Sequence, residues 1–344
     1  MSFAVDNNMI NKQDFDKLVL PFQIHPYIVM HHTAAFPMGI IQANARDDIS
    51  PWLCGKYINC FYKPNKTLDI CLDDKWATND KILIKQSISL SLSLYNDLSL
   101  DYITIAKKML ACKYYVGGMY NEEFIPGKIH YGEHYFAHDY LLIGYDDEAE
   151  FFISVGYLDG QTFQRFEIPY KSFDMAIRTL KKPNISFNFW IYNPKAKFEL
   201  NSERMLKGIY DYVNSIPSSK QYLCGGYFGL DAVGKLADNF AENAEAGKGV
   251  DLRHSRGIME HKFFMRLRLS YLHQNGILIN DDYLEMAEQV YKMSEKMHLL
   301  LLKYLLTRNK RYADSAVKIL RETVDIESSY LTSLYNDLKT RIDL

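Results

Sequence analysis

Through the first two hundred residues apolar and polar positions alternate in short runs. Beyond them the pattern settles into a helical period that lasts to the C-terminus. "KTLDICLDD" and "KILIKQSISLSLSLY" set apolar side chains at every second position, the mark of strands whose two faces differ. "DYITIAKKMLACKYYVGG" predicts a short helix and then a strand ending in two glycines. "DYLLIGYD", "EFFISVGYL" and "TFQRFEIP" follow, separated by Asp-Asp-Glu and Asp-Gly turns, and predict an antiparallel meander. "YKSFDMAIRTL" reads as a helix and "ISFNFWIY" as a last strand.

Earlier in the chain, "TAAFPMGIIQANA" reads as a helix despite Pro37 and Gly39. "ISPWLCGKYINCFY" opens another, with Ser50 as N-cap and Pro51 in its first turn. From "NSERMLKGIYDYVNSI" onward the readings are helical. "GIMEHKFFMRLRLSYLHQNG" closes at Gly276, and two longer helices follow it. "AENAEAGKGVDLRH" is polar and glycine-containing, a candidate mobile loop or lid. "LCGGYFG" lacks the context of a phosphate-binding loop and reads as a turn. The expected architecture is α+β, with an antiparallel-sheet domain over residues 15–198 and an all-α helical bundle over 199–344.

Composition narrows the function. The 344 residues carry a formal net charge of −2. Without a basic surface, nucleic acid is not expected as a partner. The N-terminal segment has no apolar core like that of an export signal. "MHLLLLKYLL" is too short to span a bilayer, so a cytoplasmic protein with no membrane partner is expected. Five cysteines at irregular spacing, Cys54, Cys60, Cys71, Cys112 and Cys224, suggest neither a disulfide framework nor a structural zinc site. The pairs His31–His32 and His134–His138 have no carboxylate at ligand spacing, so neither a metal nor another cofactor is expected.

The remaining chemistry centres on His138. A cysteine opening a helix and a histidine heading an antiparallel sheet is the order found in papain-like cysteine enzymes. There the imidazole holds the thiol as thiolate, aided by the helix N-terminus. Cys54 and His138 fit that order. The ring-orienting residue is then expected on the next strand, where Ser154, Gly156 and Tyr157 offer no carboxylate and Asp159 is the nearest one. Glu260, His261, Arg266 and Arg268 lie in sequence near Asp251, Arg253 and Arg256. They form either an ion-paired helical face, with Arg256 and Glu260 one turn apart, or a pocket for an anionic ligand.

"FIPGKIHYGEHYFAHDYLLIGYDDEAEFFISVGYLDGQTFQRFEIPYKSF" resembles the first domain of the butirosin-biosynthesis H-type acyltransferase family. That family is related to the bacteriocin-processing cysteine peptidases. His138, Gly144, Tyr145 and Asp146 match its pattern of a histidine leading into a strand that ends Gly-Tyr-Asp. "GVDLRHSRGIMEHKFFMRLRLSYL" resembles the helical half of such proteins from peptide-antibiotic gene clusters.

The resemblance implies a papain-like fold and a cysteine-dependent acyltransferase or amide-bond enzyme of peptide-type natural product biosynthesis. The acyl group would arrive on an acyl or peptidyl carrier protein and pass to a small-molecule or peptide amine. Catalysis would fall to Cys54, His138 and Asp159. Substrate contacts would come from His31, His32, Gln42 (as oxyanion donor), Tyr145, Arg253 and Arg266. A second register places the nucleophile slot at Met30 to Thr33, where no cysteine stands. In that register the protein is a catalytically degenerate relative that binds a carrier domain or peptide intermediate. A leader peptidase is a third reading.

Overall fold

The meander read over residues 139–169 forms one side of the principal sheet, with its last strand at the edge. The computed structural model describes residues 16–70, 76–98, 100–159, 162–217 and 225–342. In chain order its elements begin with β1 (Lys17–Val19), α1 (His32–Asn44), α2 (Ser50–Leu53), β2 (Phe61–Tyr62), β3 (Leu68–Asp69), α3 (Trp76–Asn79), β4 (Leu83–Ser91), α4 (Leu92–Asp97), α5 (Tyr102–Ala111) and β5 (Tyr115–Asn121). Next come β6 (Ala137–Asp146), β7 (Phe151–Tyr157), β8 (Phe163–Pro169), α6 (Tyr170–Arg178) and β9 (Asn184–Tyr192). The remainder is α7 (Ser202–Val213), β10 (Tyr227–Phe228), α8 (Gly229–Glu245), α9 (Leu252–Gln274), α10 (Asp282–Thr307) and α11 (Lys310–Arg341). The protein is therefore α+β, with antiparallel sheets and a helical C-terminal region. Among the described residues no helix is long and apolar enough to cross a membrane.

The described residues pack into two units. The first takes the chain up to His32, then Phe36–Asn44 and Ala77–Pro194. The second takes Thr33–Ala35, Ala45–Trp76 and Lys195–Leu344, so the segment around α2 and β2 belongs with the helices rather than with the large sheet.

In the first unit seven strands form one antiparallel sheet in the order β4-β9-β5-β6-β7-β8, with β1 added beside β6. β6 is fully enclosed. One edge pairs with β7, while the other pairs with β5 over Ala137–Leu142 and with β1 over Gly144–Asp146. That position explains the unbroken apolar run "YLLIGY", since a central strand is buried on both faces. α5 and α6 pack aromatic rings onto this sheet. Tyr102 stacks on Phe187 at 3.9 Å, Phe173 meets Tyr140 and Phe152 edge-on at 5.1 Å each, and the Tyr102 and Tyr140 hydroxyls lie 2.8 Å apart.

The second unit is built from α7–α11 with a three-stranded sheet, β10-β2-β3. α9 runs through its interior and carries charge there. Lys262 Nζ donates to Glu327 on α11 at 2.5 Å and to the Tyr212 hydroxyl at 2.8 Å, and the Lys262 and Glu327 side chains are wholly buried. Arg268 donates to the backbone carbonyls of Cys54 (2.7 Å) and Lys56 (2.8 Å), and His261 Nε2 donates to that of Ile58 (2.7 Å). The irregular segment 54–58 thus has its carbonyls satisfied by α9 side chains, which lets loop backbone be buried at tolerable cost.

Several expectations are corrected. Ser50 is the first residue of α2, not its cap. Ile49 holds the cap position, and Asp48 accepts from the Ser50 N–H at 2.9 Å. The proposed lid is mostly helix, because α8 runs to Glu245 and α9 starts at Leu252, leaving a short connection. Only Leu68–Asp69 of "KTLDICLDD" is strand, and Cys71 to Lys75 lie outside the described residues, as do the N-terminal fifteen and Cys224. Within "LCGGYFG", Tyr227–Phe228 is a strand and Gly229 opens α8.

Candidate functional site

His138 sits at the second position of β6, opposite Tyr120 of β5. β5 ends at Asn121, and the chain turns there into a short 3-10 segment, Glu122–Phe124. The Glu122 N–H donates to the Phe136 carbonyl at 2.8 Å, tying this segment to the residues just ahead of β6. The turn delivers the Glu122 carboxylate to His138, with Oε1 2.6 Å from Nδ1. Glu122 is 5% exposed at its side chain and the His138 ring 33%.

Lys128 completes the group. Its Nζ lies 3.3 Å from Glu122 Oε1 and donates to the Tyr157 carbonyl. Burial raises the Glu122 pKa, but the His138 hydrogen bond and the Lys128 charge outweigh it and hold the carboxyl below its usual range. Burial in turn draws the Lys128 ammonium below its ordinary value despite Glu122. The result is an ionised carboxylate that fixes one nitrogen of the His138 ring and leaves Nε2 for chemistry.

The side chain facing that ring is another imidazole. His32 opens α1, and its ring centroid lies 4.8 Å from that of His138. It is stacked between Phe36 at 4.8 Å and Tyr157 at 5.5 Å. The Tyr157 hydroxyl donates to the Val29 carbonyl at 2.7 Å, fixing the entry to the helix. Gly156 makes room for the ring. With φ at +148° it holds a backbone conformation that side-chain-bearing residues rarely adopt, and a Cβ there would stand 3.4 Å from His32 Nε2. That Nε2 is buried and has no hydrogen-bond partner among the described residues. Burial first, then the charges of His138, Lys128 and His31, keep His32 well below the ordinary histidine pKa, so it is neutral at pH 7.

Burial also holds His261 well below the ordinary value. An unfolded chain protonates both rings near pH 6.5, while the native state keeps them neutral. Acid therefore favours unfolding, and stability falls as pH drops below about 6.5. Each ring adds a slope of about 1.4 kcal/mol per pH unit until its native pKa is reached. Urea midpoints at pH 7.5, 6.5 and 5.5 check this, and a flat response below 6.5 would exclude neutral buried rings.

The two registers for a nucleophile resolve differently. Cys54 is the C-cap of the one-turn helix α2, not its opening residue. Its thiol is buried, and desolvation raises its pKa to about 11 although Arg268 opposes the shift. This is the reverse of an activated thiolate. The position facing His138 is the second register, and it holds His32. Cys60 is buried too, with a thiol pushed up to about 12, whereas Cys112 is exposed. Among the three described cysteines, iodoacetamide at neutral pH should modify Cys112 first, with Cys54 and Cys60 slow until the protein unfolds. Peptide mapping over time tests the order, and fast labelling of Cys54 would restore it as a nucleophile.

The remaining expected residues are dispersed. Asp159 does not orient His138, since Glu122 does. Asp159 accepts from the Thr162 N–H at 2.8 Å and lends charge to Lys128. Gln42 lies ten residues beyond His32 on α1, about 15 Å along the axis at ~1.5 Å per residue, and accepts from the Tyr27 N–H at 2.9 Å. It cannot serve as an oxyanion donor at His138. Tyr145 is buried at the far end of β6, seven residues or about 23 Å from His138, with Lys107 over its ring at 5.5 Å. His31 is half-buried immediately before α1. Arg253 is paired with Asp251 at 2.5 Å. Arg266 pairs with Glu288 at 3.1 Å and covers Tyr291 at 4.2 Å, while Arg256 bonds Glu260 at 2.8 Å. These residues make the ion-paired helical face rather than an anion pocket.

Glu122 and Lys128 were missed. Spacing places the orienting carboxylate after the histidine, but it comes sixteen residues before it, in the turn that follows the strand paired with β6. "NEEF" just after an apolar strand was the available signal. His134 stands beside His130 at 4.4 Å, and Glu133 lies with them. No protein-family model matches this chain, and no curated protein matches it.

Proposed function

We propose that the sheet-bearing unit is a papain-like acyl-transfer domain working by general-base catalysis without a cysteine nucleophile, in peptide-type natural product biosynthesis. The observation that carries this reading is the 2.6 Å contact between Glu122 and His138 Nδ1 on a ring one-third exposed. A carboxylate buried to orient an accessible imidazole suits a base rather than a structural histidine. The acyl group would arrive as a carrier-protein thioester. The acceptor amine attacks the thioester carbonyl carbon and a C–N bond forms. His138 Nε2 takes the proton released from nitrogen. The C–S bond then breaks, and the departing thiolate recovers that proton. His32, neutral and apolar in its surroundings, would wall the site where papain-like enzymes carry their thiol.

A second reading is a binding protein for the carrier domain or peptide intermediate, without turnover. The buried His32 in the nucleophile position, with no hydrogen-bond partner for its Nε2 among the described residues, favours it. Acyl-pantetheine thioesters mixed with amine acceptors separate the two. Amide formation above the uncatalysed rate, with no acylated protein detected by intact mass, supports general-base transfer. A covalent acyl-protein would instead restore a nucleophile. No turnover together with saturable carrier binding would establish the second reading.

A further inference from the structure

We propose that His130, Glu133 and His134 form a binding site for a zinc-class divalent transition-metal ion. These residues lie on the connection from the Glu122–Phe124 turn to β6, within the sheet-bearing unit. One donor atom from each lies within 4.8 Å of the other two. Four ligands set tetrahedrally at about 2.0–2.1 Å would stand roughly 3.3 Å apart, so side-chain rotation alone could close the set. Two imidazoles and one carboxylate are the donors that ions of this class prefer over calcium or magnesium. Three protein ligands would leave a position for water or another group.

The backbone here is organised in advance. Successive turn bonds run from Lys128 N–H to Ile125 O (3.2 Å), Tyr131 N–H to Lys128 O (3.1 Å) and Glu133 N–H to His130 O (3.1 Å). Gly132 sits between the ligands at φ +70°, so the reversal that sets Glu133 and His134 beside His130 falls on the residue best able to make it. The His130 ring is held between His134 and Phe136, each at 4.4 Å. Its Nδ1 is buried with no hydrogen-bond partner among the described residues, a cost that a metal–ligand bond would remove. Glu133 and His134 are 66% and 59% exposed, so an ion can enter from solvent.

The site is independent of the acyl-transfer reading, although it shares a connection with Glu122 and Lys128. Titration of the whole chain with Zn²⁺ in chelator-free buffer, followed by calorimetry, tests it, and Co²⁺ absorption in the visible gives a second readout. One ion per chain is expected, with the Co²⁺ spectrum of a low-coordinate site. His134→Ala and Glu133→Gln, at exposed positions that leave folding intact, should each weaken binding by at least about tenfold. His130→Ala should do the same, with circular dichroism as a check on its fold. Absence of binding to the wild-type chain overturns the proposal. So does affinity unchanged in the His134→Ala and Glu133→Gln chains, which would place the ion elsewhere.

Discussion

Replacing Lys262 by methionine should lower the unfolding free energy by about 3–5 kcal/mol, because Glu327 would then be left charged and unpaired in the interior. The two side chains are wholly buried and 2.5 Å apart, with the Tyr212 hydroxyl as a third member. Glu327 Oε1 lacks a hydrogen-bond partner among the described residues, and Oε2 would keep only the Tyr212 hydroxyl at 2.8 Å, which carries no opposing charge. Lys262→Met combined with Glu327→Leu should recover most of the stability, since apolar replacements of a buried pair are often neutral. Urea denaturation of the wild type, the single variant and the double variant decides this. A single variant within about 1 kcal/mol of wild type would mean that the pair is not isolated from water.

The second large effect concerns His138. If it is the base, His138→Ala should reduce amide formation by about 10²–10⁴-fold. Glu122→Gln should keep the ring in place while removing the negative charge that orients it. A smaller fall in kcat, with KM nearly unchanged, is expected of that variant. His32→Ala leaves the base intact and should cost less. Equal rates in wild type and His138→Ala would remove the imidazole from the chemistry.

The sheet was legible because β6, β7 and β8 are joined by short turns, so local alternation and turn residues fixed both their pairing and their direction. The long helices were legible for a similar reason. "DDYLEMAEQVYKMSEKMHLLLLKYLLTRN" is periodic over many turns, and the observed helix runs Asp282–Thr307. The site was only half legible. His138 stood out at the head of a strand, but its partners come from β5, the turn after it, and the first residue of α1. Those juxtapositions depend on which strands become neighbours, and spacing along the chain does not encode that. Cys54 misled because "SPWLC" carries helix-start signals. The helix lasts one turn, the thiol is buried, and the segment is anchored by Arg268, 214 positions away, which bonds the Cys54 carbonyl.

That remote clamp constrains inheritance. Arg268 and His261 hold the carbonyls of residues 54, 56 and 58, so the first quarter of the chain depends on partners in its last third. Recombination at residue 198 would give each descendant half of a lock. Any exchange of one unit for another should therefore carry the segment around residues 45–76 along with the helices.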